Sequence, residues 1–357
     1  MPSRPCYDVL VVGGGVIGAA VLHALAKLGL HVGLAERGVI AQGCTAYSGG
    51  LVRVFHADER LSELAAASYP FYRDFEASVG EPCTFTQTGL LYFPAAGTEV
   101  AARGQMNRLA PRVPMAWLEA ERVRAAHPEM HADGPAIHEP GAGYMSPPQV
   151  TRAFIRAARQ LGAVVHEGTA IDKLVRVGDR YAGVETTLGT LFADRVVLAL
   201  GPHTPSFLDQ HRIPHALWAQ RIQVDIRRPP APPRDHPAWI DDVNQLNGRP
   251  HDDGRFLIGC PTHDIRFHDR PVAGIASHSD VIDAMGRRRF KWVADAGREG
   301  SYASFDCYSE GGLGTARFVD EARTLAVISG FSGGGFKLAP ELARRTARLL
   351  AQEASTC

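Results

Sequence analysis

The sequence predicts an α/β fold in which one domain is built on a parallel sheet and a second, discontinuous α+β domain on a mixed or antiparallel sheet. Three observations lead there. The chain opens on an apolar strand pattern, a glycine turn and a helix. Buried strand patterns recur at residues 161–175 and 194–202, and the chain closes on a strand, the run GFSGGGFKLAP and a helix. Between these pieces lie stretches rich in Pro, His and Trp with broken patterns. The parallel domain is therefore expected over 1–86, 145–213 and 301–357, and the second domain over 87–144 and 214–300.

At 357 residues the chain is long enough for two domains. Hydrophobic residues make up 45% and charged residues 21%, a globular balance. Lys and Arg number 38, as do Asp and Glu, so the formal net charge is zero. That speaks against nucleic acid or an anionic membrane as the main partner. No apolar run approaches the roughly 18 residues of a membrane span. The N-terminal apolar run is too short for a signal peptide, which leaves the cytoplasm as the expected compartment. Cys6, Cys44, Cys83, Cys260, Cys307 and Cys357 show no CxxC spacing and read as reduced thiols. The histidines are dispersed without an HExxH pair, and no metal site is expected.

Residues 7–12, YDVLVV, form a nearly continuous apolar run suited to a strand buried on both faces. It leads into Gly13-Gly14-Gly15-Val16-Ile17-Gly18, a G-x-G-x-x-G. AAVLHALAKLGL then keeps helical spacing as far as Gly29, and HVGLAE reads as a second strand ending at Glu36. Gly13 permits the tight turn, Gly15 lets the backbone approach a pyrophosphate, and Gly18 lets the helix lie close to the strand. The helix start at Val16 and Ile17 offers N–H groups to phosphate. Glu36, eighteen residues beyond Gly18, is placed to accept hydrogen bonds from a ribose. Strand, glycines, helix, strand and acid in one unit mark a Rossmann-like dinucleotide site.

A simple nicotinamide dehydrogenase continues from here with another strand–helix repeat. Instead Arg37 opens a Gly/Ser-rich loop containing Thr45, Ser48, Gly49 and Gly50, followed by a helical pattern over 59–75. Such a loop can line a cofactor that extends past the pyrophosphate. LGAVVHEGTAIDKLV reads as strand, turn, strand, and DRVVLALGP as a buried strand ending at Gly201, at the carboxyl edge where open α/β sheets bind ligands. In the terminal run, Gly333, Gly334 and Gly335 let the main chain pass beside a flat ring with no side chain between. Phe336 and Lys337 follow, and a helix is expected to start near Pro340, a favoured first-turn residue.

YDVLVVGGGVIGAA, the 44–53 loop, TGLLYFP, RVVLALGPHTPSFL and GFSGGGFK stand in the order seen in the D-amino-acid-oxidase (DAO) family of FAD enzymes, and the chain most resembles its monomeric sarcosine oxidase and pipecolate oxidase branch. The resemblance implies FAD as cofactor, with Ala170 on the adenine side and the terminal loop along the flavin. It implies that Lys337 helps bind a substrate carboxylate. A second carboxylate-binding arginine falls on Arg53, or, with a two-residue shift, its place is taken by Phe55; the other reading of Arg53 is a salt bridge or phosphate contact. Cys307, thirty residues before Lys337, is either a covalent anchor for the flavin, by analogy with that branch, or a buried free thiol. The oxygen-activating lysine of the branch is replaced by Arg266, with His263 and His268 beside it as candidates for favouring the unprotonated amine.

The activity implied is FAD-dependent oxidation of the C–N bond of a secondary, cyclic or N-methyl amino acid. Hydride passes to flavin N5, giving an imine and a reduced flavin that O2 reoxidises. Two alternatives stand beside it: a flavin subunit passing electrons to a quinone or protein acceptor, and a flavoprotein that modifies a partner protein.

Overall fold

The computed structural model describes residues 6–233, 235–268 and 272–354; Cys357 and the N-terminal residues 1–5 lie outside the described residues, as does the side chain of Cys6. Cys6–Val12 pairs in parallel with Gly189–Leu198 on one side and Val32–Ala35 on the other. Val164–His166 extends the sheet beyond Val32–Ala35, and Leu325–Ser329 extends it beyond Gly189–Leu198, both in parallel. The antiparallel strand Thr315–Phe318 forms that edge, and the hairpin Ile171–Val177/Arg180–Thr186 continues from the start of Gly189–Leu198.

The apolar run of the first strand is buried on both faces. Val9 and Val11 join the core under the helices, while Leu10 and Val12 pack with Phe207 and Leu208 on the opposite side. The helix Val16–Ala26 packs against both Pro147–Gln160 and Gly335–Ala354. The first and last helices of the chain are thus neighbours, and both start at the same end of the sheet.

The last helix begins at Gly335, inside the glycine run, rather than near Pro340 as the sequence suggested. Proline in a helix has no N–H and leaves the carbonyl four residues back without its donor. Here that carbonyl belongs to Phe336, and the Tyr72 hydroxyl donates to it. One turn away on the helix Glu59–Arg73, the Ser68 hydroxyl donates to the Leu338 carbonyl at 3.3 Å and accepts from the Glu341 N–H at 3.2 Å. Both side chains are fully buried. A neighbouring helix therefore supplies what the proline removes.

The second sheet runs in the order Gly297–Ser309, Leu217–Arg228, Arg255–Pro261, Leu246–His251, Ala238–Asp241, Leu90–Phe93, Ala136–Glu139, Ala116–Leu118. Its pairs are antiparallel except Ala238–Asp241 with Leu90–Phe93, so it is mixed. The expected domain boundary at 300/301 cuts the strand Gly297–Ser309. That strand pairs along its whole length with Leu217–Arg228, from Leu217 opposite Ser309 to Arg228 opposite Gly297. An unbroken ladder cannot be divided between two sheets, so this boundary moves beyond Ser309. Leu51–Val52, Thr86–Gln87 and Gly143–Tyr144 form a small third sheet.

Removing the hydroxyl that serves the Phe336 carbonyl leaves a buried acceptor unpaired. Tyr72→Phe is expected to lower stability by about 1–3 kcal/mol, read as a lower urea midpoint at unchanged slope; an unchanged midpoint would show that the carbonyl finds another donor.

Candidate active site

Three joined chambers form one cleft. The first and second share Gly15, Cys44, Thr45, Ala199 and Gly201; the second and third share Ser48, Asp306, Phe331, Ser332, Gly333 and Phe336. The walls come from the carboxyl ends of the parallel strands, the 44–53 loop, the strand Gly297–Ser309 and the glycine run.

The first chamber, of about 370 Å³, holds Gly13, Gly15, Glu36, Arg37, Ala170 and Gly201. Gly13 has φ +109°, and a Cβ there would stand 2.3 Å from the Ala199 carbonyl oxygen. A Cβ on Gly18 would stand 1.9 Å from the Gly13 carbonyl oxygen, so a side chain at Gly13 forces the turn off the strand end at Ala199 and one at Gly18 forces the helix off the turn. Glu36 accepts from the Gly14 N–H at 2.6 Å and the Gly38 N–H at 2.8 Å. It therefore braces the turn while still facing the chamber, and a carboxylate has lone pairs left for hydroxyl donors. The helix Val16–Ala26 starts at Gly15 with no side-chain cap, and Thr45 Oγ1 accepts from Val16 N–H at 3.1 Å. Arg37 lies 2.8 Å from His203 Nε2.

The second chamber is narrow, about 110 Å³, and bordered by Val16, Ile17, Thr45, Ser48, Cys307, Gly333, Gly335 and Phe336. Side chains alternate along the strand Gly297–Ser309. Cys307 turns toward Ser329 and Gly330, and burial pushes its thiol up to about 11. It is protonated at neutral pH.

The third chamber, of about 460 Å³, collects Gly49, Gly50, Arg53, His56, Asp306, Tyr308, Gly334 and Lys337. Burial, then the neighbouring Arg53, bring the Lys337 ammonium down to about 7, with Asp306 acting against them. Burial raises Asp306 to about 6, and Lys337 opposes that rise. The Arg53 guanidinium donates to the Phe55 carbonyl, while its Nε is buried with no hydrogen-bond partner. Beneath it, Glu139 is fully buried and accepts from the N–H groups of Val54 and Phe55 at 2.7 and 3.1 Å. Burial, then Arg53 and Lys337, hold His56 well below the usual histidine range. It is neutral and donates from Nδ1 to the Val54 carbonyl at 3.0 Å.

The residues fit FAD on their own geometry. The glycine crossings leave room for no side chain, the uncapped helix start faces the first chamber, and the narrow chamber continues it toward Lys337. The family model for FAD dependent oxidoreductases matches residues 8–349. The chain belongs to the DAO family of FAD-dependent oxidoreductases. It is 26% identical over 355 residues to 4-methylaminobutanoate oxidase (formaldehyde-forming) of Paenarthrobacter nicotinovorans, covering 95% of this chain and 43% of that one. The chain thus spans less than half of that relative's length. It is also 26% identical over 361 residues to monomeric sarcosine oxidase of Streptomyces avermitilis, covering 94% of this chain and 91% of the other. The fold matches L-proline dehydrogenase from P. horikoshii with a TM-score of 0.87 at 21% identity, over 98% of this chain and 94% of that one.

In this FAD-dependent oxidoreductase several expected site residues fall elsewhere. Arg266, His263 and His268 are exposed and line none of the three chambers. Arg266 pairs with Asp264 at 2.9 Å, and the His268 ring stands 6.4 Å from that of Phe305. The strand Arg255–Pro261 reaches the third chamber with Cys260 and Pro261, and the chain turns away after it. Gly49 and Gly50 line the third chamber, beyond the first, on the loop expected past the pyrophosphate. Of the two candidates Arg53 and Phe55, Arg53 faces the chamber; Phe55 is fully buried with its ring 4.6 Å from that of Tyr92. Asp306, His56 and Glu139 escaped the sequence reading. Asp306 was visible as a lone acid beside Cys307 in a strand pattern, whereas nothing local marks the other two.

Among the described residues no group of three or more His, Cys, Asp or Glu side chains could hold a metal ion, and no helix is long and apolar enough to cross a membrane.

Lys337 can anchor an anion only while charged, which in the substrate-free protein holds below about pH 7. The affinity of flavin-loaded protein for a simple carboxylate such as propionate is expected to fall as pH rises through 7. Lys337→Met should weaken binding by about 10- to 100-fold, from a charge-assisted bond of about 1.5–3 kcal/mol, and remove this dependence. Titrations from pH 5 to 9 check it; a flat profile in the wild type contradicts it.

Proposed function

We propose that this enzyme oxidises the C–N bond of a secondary, cyclic or N-methyl amino acid. The observation that carries the reading is the convergence of Lys337 and Arg53 on one chamber joined to the nucleotide cleft. Two cationic side chains in a shielded pocket, one with an unpaired buried Nε, suit a small carboxylate. The N-methyl preference draws support from the relatives, whose names specify sarcosine and 4-methylaminobutanoate as substrates.

FAD, when bound, supplies the hydride acceptor for this chemistry. The residues of the chain supply position and charge. Gly13 and Gly18 let the turn and helix close up so that backbone at Gly15 would approach the diphosphate, Glu36 and Ala170 would border the nucleoside end, and the 330–335 turn would border the ring. Lys337 and Arg53 hold the substrate carboxylate and so fix the carbon beside the amine, and such positioning accounts for much of the rate enhancement. Cys307 borders the narrow chamber, where it would either pack against the flavin as a free thiol or carry it through a thioether, and acid precipitation separates the two. The free thiols Cys44, Cys83, Cys260 and Cys307 accord with a reducing compartment, the cytoplasm.

O2 is the electron acceptor in the leading reading. A quinone or protein acceptor is the second, favoured by the position of Arg266, which lies outside the third chamber where the extra cation was expected.

One preparation tests the proposal. Anaerobic addition of sarcosine, proline, pipecolate or longer N-methyl acids should bleach the yellow flavin band, and air should restore it with release of hydrogen peroxide. Slow recovery in air but rapid recovery with a quinone favours the second acceptor. After acid precipitation, yellow in the pellet means a flavin tethered through Cys307 and yellow in the supernatant a dissociable one. Failure of every secondary and N-methyl amino acid to bleach the flavin would overturn the assignment.

A further inference from the structure

Asp306 has no part in the chemistry so far, yet its carboxylate faces the junction of the second and third chambers. It shares a strand face with Tyr308, opposite to Cys307. Among the described residues no hydrogen bond or salt bridge ties its side chain. Its Oδ2 lies 3.7 Å from where a Cβ on Gly333 would stand, and Lys337 Nζ lies 4.0 Å from where a Cβ on Gly334 would stand. The two charges therefore flank adjacent residues of one tight turn.

An amino acid carries its carboxylate and its ammonium group on the same carbon. A carboxylate held by Lys337 and Arg53 thus places the ammonium beside the opposite charge in the same chamber. We propose that Asp306 is the base that takes a proton from the substrate's ammonium group, an inference that rests on the reading of Lys337 and Arg53 as the carboxylate anchor. One N–H bond of the ammonium breaks and one O–H bond forms on Asp306. A cation and an anion become a neutral amine and a neutral carboxyl group, with no electron transferred. The freed lone pair is what loss of hydride from the neighbouring carbon requires, and the carboxyl group returns its proton to water as product leaves.

The surroundings suit the task. Burial raises the carboxyl group to about 6, close to working pH, where a base is most effective. Lys337, from the last helix, is the charged group that bears on it most directly, with Arg53 behind. Cys307 and Tyr308 on its own strand and Cys44 on the turn Cys44–Tyr47 are all pushed up by burial and by Asp306 itself, so they stay neutral. Opposite it, the strand Leu217–Arg228 presents uncharged Gln220.

The test compares flavin-loaded wild type, Asp306→Asn and Asp306→Glu by anaerobic flavin reduction between pH 5.5 and 10, with flavin content and thermal midpoint confirming folding. In the wild type, kred/Kd should rise to a maximum between about pH 6 and 7, as Asp306 ionises, and fall above it as Lys337 loses its proton. In Asp306→Asn it should be about 10²- to 10³-fold lower at pH 7, and the gap to wild type should close as pH approaches the amine's own pKa. Asp306→Glu should restore part of the loss at neutral pH. A loss uniform across pH, or none, overturns the inference while leaving the activity standing; a wild type that no amino acid reduces sinks the activity itself. A second readout needs no turnover. Infrared difference spectra on binding 2-aminoisobutyrate, which has no hydrogen on its α-carbon, should show a protonated carboxyl band in the wild type and not in Asp306→Asn. Absence of that band from the wild type overturns the proposal.

Discussion

The side-by-side packing of the first helix, Val16–Ala26, and the last, Gly335–Ala354, determines where everything else in this molecule can be. Both helices start at the carboxyl edge of the parallel sheet, and a Cβ on Gly335 would stand only 3.9 Å from the Ile17 side chain. The Gly13–Gly18 turn and the turn that carries Lys337 are thereby brought together across more than three hundred residues of sequence. Large side chains at the crossing points would separate them. Gly18 is needed for contact between the first helix and its turn and Gly13 for contact between that turn and Ala199, and the Ser68 and Tyr72 hydroxyls hold the proline-containing start of the last helix in place. Anchoring and ligand binding are one piece of architecture here.

Charge in the third chamber follows from the same enclosure. Burial lowers the affinity of both Lys337 and Arg53 for their protons, Arg53 lowers that of Lys337 further, and Asp306 offsets part of the effect on Lys337. Glu139 does the equivalent for Arg53 from below while tying the backbone of Val54 and Phe55. The second sheet also steadies the 44–53 loop, since Arg249 donates to the Gly49 carbonyl at 2.6 Å and lies over the Tyr144 ring. The chamber thus has a cationic end and an anionic side, the pattern of a zwitterion.

What could be read from the sequence was what depends on neighbours in the chain. The apolar run at residues 7–12, the glycine spacing to Gly18, the acid at Glu36 and the glycine run before Lys337 each carry their meaning within a few residues. What could not be read depends on contacts across the fold. Pro340 looked like a helix start because its missing donor is replaced by Tyr72, far away in sequence. Arg266 looked well placed because the end of its strand at Pro261 leaves no mark strong enough to show that the chain turns outward. His56 and Glu139 are ordinary polar residues until the fold buries them around Arg53. Asp306 lies between these cases: its place in a strand was legible, but not which way the strand faces.

The central claim is that both ends of the chain enclose one flavin nucleotide and that Lys337 meets the substrate beside it. A crystal structure of the flavin-loaded protein with a bound unreactive carboxylate tests this most directly. The account predicts the diphosphate against the Gly13–Gly18 turn and the carboxylate in contact with Lys337 Nζ and the Arg53 guanidinium. A carboxylate seated elsewhere in the cleft, with Lys337 turned away from it, would contradict it.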